Sequence, residues 1–507
     1  MKFSEVPSYS KGLISPLFVW KVVVLAIFLK VIIFPLAVYA DNQIIAKNIG
    51  TSDPAPNVFN GTLYLYCTED MVGNGNLDIS VIHCYSTTDL YHWKDEGVVL
   101  DEANIPWCSK SKRLWAPHCV FFGGKYHLYA PEAGSNGVFH LVHATATTPT
   151  GPFIADKNYM AGCGNDALDP FVVIDSGSGG SGNNYICWNQ VGVTPNVVAI
   201  RQLTADGSDA TGTQTDLAPG MGASTGTYKE GMWFVKKNNL WYFFYADWVQ
   251  GTVRREEIGL STSPVLIPAS GQKYTWQKFV MTQNTGTSAT SHPGICYFQN
   301  RWIMFYHCDG SAWGGSLTTG FKRVMGAEYF NFNADGSVPV ISKSYRGIGT
   351  PGFNDSIQID RRSAINGAGI SVVGGGEPAG YMVSSVTNNG WVRYDTVHFA
   401  GGGPSGVYVR VAAASAGGSI EFRLGSNTGK LLGTATIAST GGLTTWQTQT
   451  ATGWTSAASD SGIQNIVLVF KTTAPNQFNV NWVKLVPPTG INNSSASLTS
   501  SSTLSSQ

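Results

Sequence analysis

Beyond residue 50 the chain is built from short apolar runs that come in pairs. The stretch "SDPAPNVFNGTLYLY" (52–66) shows the unit: a small or charged residue with proline or glycine, an apolar run, a tight Gly/Asn turn, and a second run rich in aromatics. The unit returns as "WAPHCVFFGGKYHLY" (115–129), "LDPFVVIDSGSGGSGNNYICW" (168–188), "KEGMWFVKKNNLWYFFY" (229–245) and "SHPGICYFQNRWIMFYH" (291–307). Paired runs around such a turn predict a β-hairpin. The turns, at Gly61, Gly124, the Gly-rich 176–182, Asn239 and Asn300, recur about every sixty residues, which marks a repeat architecture. Further strand patterns such as "SVIHCYSTTDLYHW", "VFHLVHATATTPTGPF" and "EEIGLSTSP" lie between the hairpins, enough for four strands per repeat. An all-β chain with five such repeats over residues 50–345 predicts a five-bladed β-propeller.

Register then picks out chemistry. Aligned on their turns, the five units place Asp53, Ala116, Asp169, Glu230 and His292 at one equivalent position. If these positions open the innermost strand of each blade, three carboxylates and an imidazole crowd into one pit at the end of the propeller axis.

After "YRGIGTPGF" (345–353) the texture changes. Residues 346–353 read as a Gly/Pro linker, and 354–487 as short alternating strands, among them "GWVRYDTVHF", "GVYVRVAAA" and "FNVNWVKLV". Such strands with Gly-rich turns predict a β-sandwich of jelly-roll type. Residues 488–507 are Ser/Thr-rich and are expected to be disordered. "NGAGISVVGGG" lacks a following helix and reads as turns, not as a dinucleotide loop.

Residues 12–40 form a long apolar segment ending in small residues at Ala37 and Ala40, before polar "DNQ". Residues 1–40 therefore read as a signal peptide cleaved after Ala40, or else as an uncleaved N-terminal anchor. Either reading takes the bulk of the chain out of the cytosol, and a membrane is a partner only under the second. The 507 residues carry zero formal net charge, with only 13% charged side chains. That excludes the basic face a nucleic-acid partner needs. Many Trp and Tyr with little charge suit an extracellular protein that handles neutral, hydroxyl-rich ligands. All eight cysteines fall in the propeller region, which allows disulfides in an exported chain, with connectivity open.

With these residues in place, the propeller region, residues 41–345, resembles glycoside hydrolase family 43. The motifs that carry the resemblance are "SDPAP", "LDPFVV", "KEGMW", "WAPH", "CWN", "SHPG" and "FYHCDGSAWGG…GFKR". The resemblance is strongest to the arabinoxylan arabinofuranohydrolase branch, and the loose turn "DSGSGGSGNN" departs from the pattern. It implies that Asp53 is the general base and Glu230 the general acid. Asp169 is then a third carboxylate that raises the pKa of Glu230 and holds it in place. It also implies that Arg323 faces the substrate. Trp115 and Trp188 either line the pocket or pack the blades. His292 either is a satisfied core histidine or supports a central water or metal.

The sandwich resembles a family 6 carbohydrate-binding module, through "NNGWVRY" (388–394), "STGGLTTW" (439–446) and "FNVNW" (478–482). This implies that Trp391 and Trp446 flank a sugar ring, with Tyr381 as an alternative wall and Asn479 bonding the hydroxyls. Trp446 as core packing is the competing reading. The family's structural calcium would fall at Gln358 and Asp360 in "IQID"; no cofactor is expected for catalysis.

Glycoside hydrolysis needs a proton for the leaving oxygen and a base for the attacking water. Carboxyls about 6.5–9.5 Å apart leave room for that water and invert the anomeric centre. The expected function is a secreted, extracellular, monomeric hydrolase that releases α-L-arabinofuranosyl groups from plant cell-wall arabinoxylan or arabinan. The alternatives are a β-xylosidase, an endo-arabinanase, or a lectin that binds polysaccharide without cutting it.

Overall fold

The computed structural model describes residues 50–70, 78–175, 181–191, 197–217, 227–248, 256–269, 272–281, 291–308, 323–367, 370–374, 381–474 and 476–488. The N-terminal segment, most of the Gly-rich turn after Asp175 and the tail from residue 489 lie outside them. No helix among the described residues is long and apolar enough to cross a membrane.

The five predicted hairpins all form, each opening its own antiparallel sheet. Their first strands are Gly50–Phe59, His118–Phe122, Ala167–Asp175, Thr227–Lys237 and Pro293–Phe298. Each of these touches the next, and the fifth also touches the first, so the five close a ring. Four sheets have four strands; the fifth has three among the described residues, Pro293–Phe298, Arg301–Cys308 and Val324–Phe330. The fourth strand expected there is replaced by an irregular path through 331–345, where Ile341 instead hydrogen-bonds Val280 of the fourth sheet.

The turn chemistry explains the register. Asn60-Gly61, Gly123-Gly124, Asn238-Asn239 and Gln299-Asn300 all have φ between 50° and 78°. Two consecutive residues at positive φ make the two-residue turn whose twist matches the flanking strands. Apolar side chains from the sheets fill three buried clusters. The seven cysteines whose side chains are described are all free thiols, which corrects the expectation of disulfides. Six of them are buried singly along strands and loops of the core, as small apolar side chains.

Residues 356–486 form two antiparallel sheets facing one another across one apolar cluster. One is ordered Ser371–Gly374, Tyr381–Ser384, Phe478–Val486, Gly406–Ala413, Trp446–Thr452, with Ser356–Gln358 also paired to Phe478–Val486. The other is ordered Ala364–Asn366, Trp391–Phe399, Gly462–Lys471, Gly418–Leu424, Leu431–Ile437. The intervening stretch is no loose hinge. Arg346 is buried and donates to the carbonyls of Gly349, Asp395 and Thr396. Gly349 has φ 83°, and a Cβ there would lie 2.4 Å from the Leu90 carbonyl oxygen, so this glycine serves close approach.

Candidate active site

The mouth of each innermost strand departs from regular pairing. In the first sheet the register breaks between Ser52 and Ala55, in the third beside Leu168, and in the fourth on both sides of Glu230. Asp53 and Asp169 stand at φ 55° and 49°, and Gly231 after Glu230 at 54°. These bulges turn the carboxylates out of the ladder and towards the axis, the re-aiming that bulges commonly perform.

They meet at His292. Its Nδ1 lies 3.5 Å from Asp53 Oδ1, and its Nε2 lies 3.8 Å from Asp169 Oδ2 and 3.6 Å from Glu230 Oε1. Asp169, Glu230 and His292 each offer an atom within 4.8 Å of the other two. Ala116 joins them on the wall, beside Pro54, Pro117, Pro170 and Pro293. The small cavity lined by Asp53, Ala116, Asp169 and His292 together with Met232 and Trp233, about 20 Å³, has room for about one water. All five registered positions therefore converge, with His292 at their centre.

The four groups differ in charge. Burial alone would push Asp53 up, but the Arg323 guanidinium, then the His292 and His307 rings and the Thr68 hydroxyl, hold it well below the usual carboxylate range. Arg323 Nη1 is 3.2 Å from Asp53 Oδ1, and Thr68 Oγ1 donates to Oδ2 at 2.7 Å. Asp169 goes the other way, to about 6: burial raises it, His292 opposes, and the charge of Glu230 adds to the rise. The Gly231 N–H donates to its Oδ2 at 3.1 Å. Burial would lower His292, yet Asp53, Asp169 and Glu230 outweigh it and raise the ring to about 10, so it is an imidazolium at neutral pH.

Chemically, one carboxylate is fixed as an anion, and across the imidazolium Asp169, buried beside Glu230, retains its proton more strongly than an isolated carboxyl.

Several supporting residues were not picked out from the sequence. His307 is fully buried, accepts the Asp53 N–H on Nδ1 at 3.0 Å, and stacks on His292 with centroids 5.3 Å apart. Ser52 and Thr68 share a hydrogen bond of 2.6 Å beneath Asp53. His118 accepts the Val172 N–H at 3.1 Å, and burial pushes it down to about 3, so it is a neutral strut between second and third sheets. The available signal was a polar residue interrupting an apolar run at a strand mouth.

Other expectations need correction. Arg323 is buried against Asp53, where it supplies the carboxylate's counter-charge. Trp188 is fully buried, its indole N–H donating to Gln190 at 3.0 Å, and it packs between sheets instead of lining the pit. Trp115 is half-buried, hydrogen-bonded through its backbone to Pro131 and tilted on Phe139 at 4.7 Å. In the sandwich, Trp391 and Trp446 are both half-buried at one end, one on each sheet. Tyr381 is in the apolar core, so it is no sugar wall. Asn479 is buried under the 439–446 loop, its amide donating to the Leu443 carbonyl at 2.9 Å, so it holds that loop. Gln358, the last residue of the first module strand, and Asp360, two residues on, are both buried.

Comparison with known proteins gives the family of each domain. Residues 46–338 match the family model "Glycosyl hydrolases family 43", and residues 363–487 match "Carbohydrate binding module (family 6)". The chain is 26% identical to an arabinoxylan arabinofuranohydrolase of Paenibacillus polymyxa, over 91% of this chain and 78% of that one. It is 27% identical to a xylosidase/arabinosidase of Bacteroides ovatus, over 57% of this chain and 94% of the relative. Among solved structures, the GH43_1 enzyme from Xanthomonas citri complexed with xylose aligns with a TM-score of 0.50 at 23% identity, covering 59% of this chain and 92% of that one.

Proposed function

The chain belongs to glycosyl hydrolase family 43 and carries a family 6 carbohydrate-binding module, and from that premise we propose that it removes α-L-arabinofuranosyl groups from arabinoxylan or arabinan with inversion. The ring of five sheets is then a five-bladed propeller, and the two-sheet module a jelly roll. The observation that carries the proposal is the division of charge around His292. Asp53, held ionised by Arg323, takes a proton from the attacking water. Glu230, paired with Asp169 on the far nitrogen of the ring, protonates the leaving oxygen. An imidazole reaching Asp53 with one nitrogen and Glu230 with the other supports a carboxyl spacing wide enough for a water, the inverting arrangement.

The choice of arabinofuranosyl is supported by the Paenibacillus relative, which spans both domains of this chain. The Bacteroides relative, whose name joins xylosidase to arabinosidase, keeps β-xylosidase as the second reading. An endo-arabinanase would use the same acids. The lectin reading is disfavoured, since a merely binding pit has no need of three converging carboxyls. We place the enzyme outside the cell as a monomer, after cleavage at Ala40, acting on plant cell-wall polysaccharide.

A calcium at Gln358 and Asp360 fits thinly. Calcium takes six to eight oxygens, and this pair offers one carboxylate and one amide, with no third acidic or His/Cys ligand clustered there among the described residues. If calcium binds, chelation lowers the melting temperature of the module.

The test is product analysis on wheat arabinoxylan, linear arabinan and xylo-oligosaccharides, with proton NMR at early times. Arabinose released first with inverted configuration is expected. Xylose as the main product moves the assignment to the second reading, and retained configuration removes Asp53 as the base.

A further inference from the structure

A second cluster of ligating side chains lies outside the pit. Glu102 follows the strand Lys94–Asp101, Cys108 sits in the connection to the second sheet, and Glu132 is on the strand Lys125–Ala133. One atom from each lies within 4.8 Å of the other two. Glu102 is 3% exposed and Glu132 0%, while Cys108 is a half-buried free thiol.

Backbone N–H groups orient both carboxyl groups. Both oxygens of Glu102 face the Lys112 N–H, at 3.1 and 3.0 Å, and Oε1 of Glu132 accepts the Ala133 N–H at 2.7 Å. Oε2 of Glu132 is buried without any hydrogen-bond partner. The nearby Lys110 ammonium donates to the backbone carbonyls of Glu102 and Ile105. Two buried carboxyl groups held together, one with a bare oxygen, are unfavourable unless a proton or a cation joins them.

We propose that Glu102, Cys108 and Glu132 bind a thiolate-accepting divalent cation of the zinc type. Zinc accepts thiolate and carboxylate ligands at about 2.0–2.3 Å in a tetrahedron, and a ligand set of one sulfur and two oxygens selects it over the oxygen-only cations. The backbone N–H groups of Lys112 and Ala133 orient the carboxylates as outer partners of metal ligands do. On binding, the Cys108 thiol gives up its proton to solvent, and no redox step is involved. The site would tie the connection 102–117 to the second sheet. Glu132 adjoins Pro131, whose carbonyl accepts the Trp115 N–H at 3.1 Å, so the ion would brace the segment that brings Trp115 and Ala116 to the pit.

The experiment is titration of the chelator-treated, reduced full-length protein with Co²⁺, followed by displacement with Zn²⁺. One equivalent should produce a thiolate-to-cobalt charge-transfer band, and zinc should remove it. Cys108→Ser should abolish the band, and Glu132→Gln should weaken binding at least about tenfold, the lower end for disturbing a metal's ligand environment. Glu230→Gln should leave it intact, which separates this cluster from the catalytic acids. If Cys108→Ser does not fold, alkylation of Cys108 in the unaltered protein serves instead, and zinc should slow it. The proposal is overturned by absence of the band, by its survival in Cys108→Ser, by unchanged affinity in Glu132→Gln, or by alkylation indifferent to zinc.

Discussion

Asp53 stands at φ 55° immediately before a proline, a backbone region that L-residues avoid, with Arg323 and Thr68 holding its carboxyl. Its role and its burial cannot be separated by mutation as simply as those of Glu230. Either Asp53→Asn or Glu230→Gln should lower turnover by about 10²–10⁴-fold, the usual worth of a general acid or base. Only Asp53→Asn should also lower stability, by about 3–5 kcal/mol, because it strands a buried guanidinium. Adding Arg323→Gln should return part of the melting temperature but none of the activity. Equal melting of Asp53→Asn and the unaltered enzyme would mean that the pair is not a buried ion pair in solution.

The pH profile follows from the same residues. Asp53 is ionised far into acid, so it sets no limit near neutrality. Asp169, raised from 3.8 to about 6 by burial and by the negative charge of Glu230, is the carboxyl of this site that loses its proton near neutrality. Turnover should therefore fall as pH rises through about 6. Asp169→Asn removes the negative neighbour, so the falling limb should move to lower pH, alongside a loss in kcat; a limb that stays in place would assign it to another group. The acids were legible in the sequence because tight turns fixed the register on which they align. His307 was not, since its bond to Asp53 joins positions 254 residues apart. Trp188 was left between pocket and packing because its strand is buried without alternation, where the pattern no longer tells core from pit.

At the scale of the strand, the hairpin alone does not make the site; the bulge at its mouth does. Gly231 shows the constraint most clearly. Its φ is 54°, its N–H bonds Asp169, and a Cβ would lie 2.9 Å from the His292 ring. Gly231→Ala should cost about 1–2 kcal/mol for the left-handed backbone alone and displace the imidazolium. A shift of the order of 1 Å at a reacting group can lower the rate about 10²-fold. Steady-state kinetics with a melting curve checks this, and unchanged kcat/KM would show that His292 tolerates displacement. Turns declare themselves through Asn and Gly, whereas these bulges form where prolines and a glycine interrupt ladder pairing, which the sequence pattern alone does not distinguish from a strand start.

At the scale of the whole molecule, the joint beside the Gly/Pro linker is packed. His92 bridges Asp89 and Asp355, Tyr91 donates to the Ser356 carbonyl, and Arg361 lies 4.8 Å over the Tyr91 ring. The module's last strand meets Ser356 near its C-terminal end, at Lys484, whereas Asn479, in the row of Trp446, is near its N-terminal end. The tryptophans thus sit roughly 20 Å along the strands from the joint at about 3.4 Å per residue. A sugar platform there would be held at a fixed distance from the pit and raise the local concentration of polymer without touching the reacting bond. Replacing Trp391 and Trp446 together with Ala should weaken binding to insoluble xylan by about one to two decades, as expected for losing two stacking faces of about 0.5–1.5 kcal/mol each. Turnover of a small aryl arabinofuranoside should not change. Pull-down beside kinetics, on protein with an unaltered melting curve, decides: undiminished pull-down would return both rings to structural packing, and a matching fall in small-substrate turnover would mean that the module helps to build the pit.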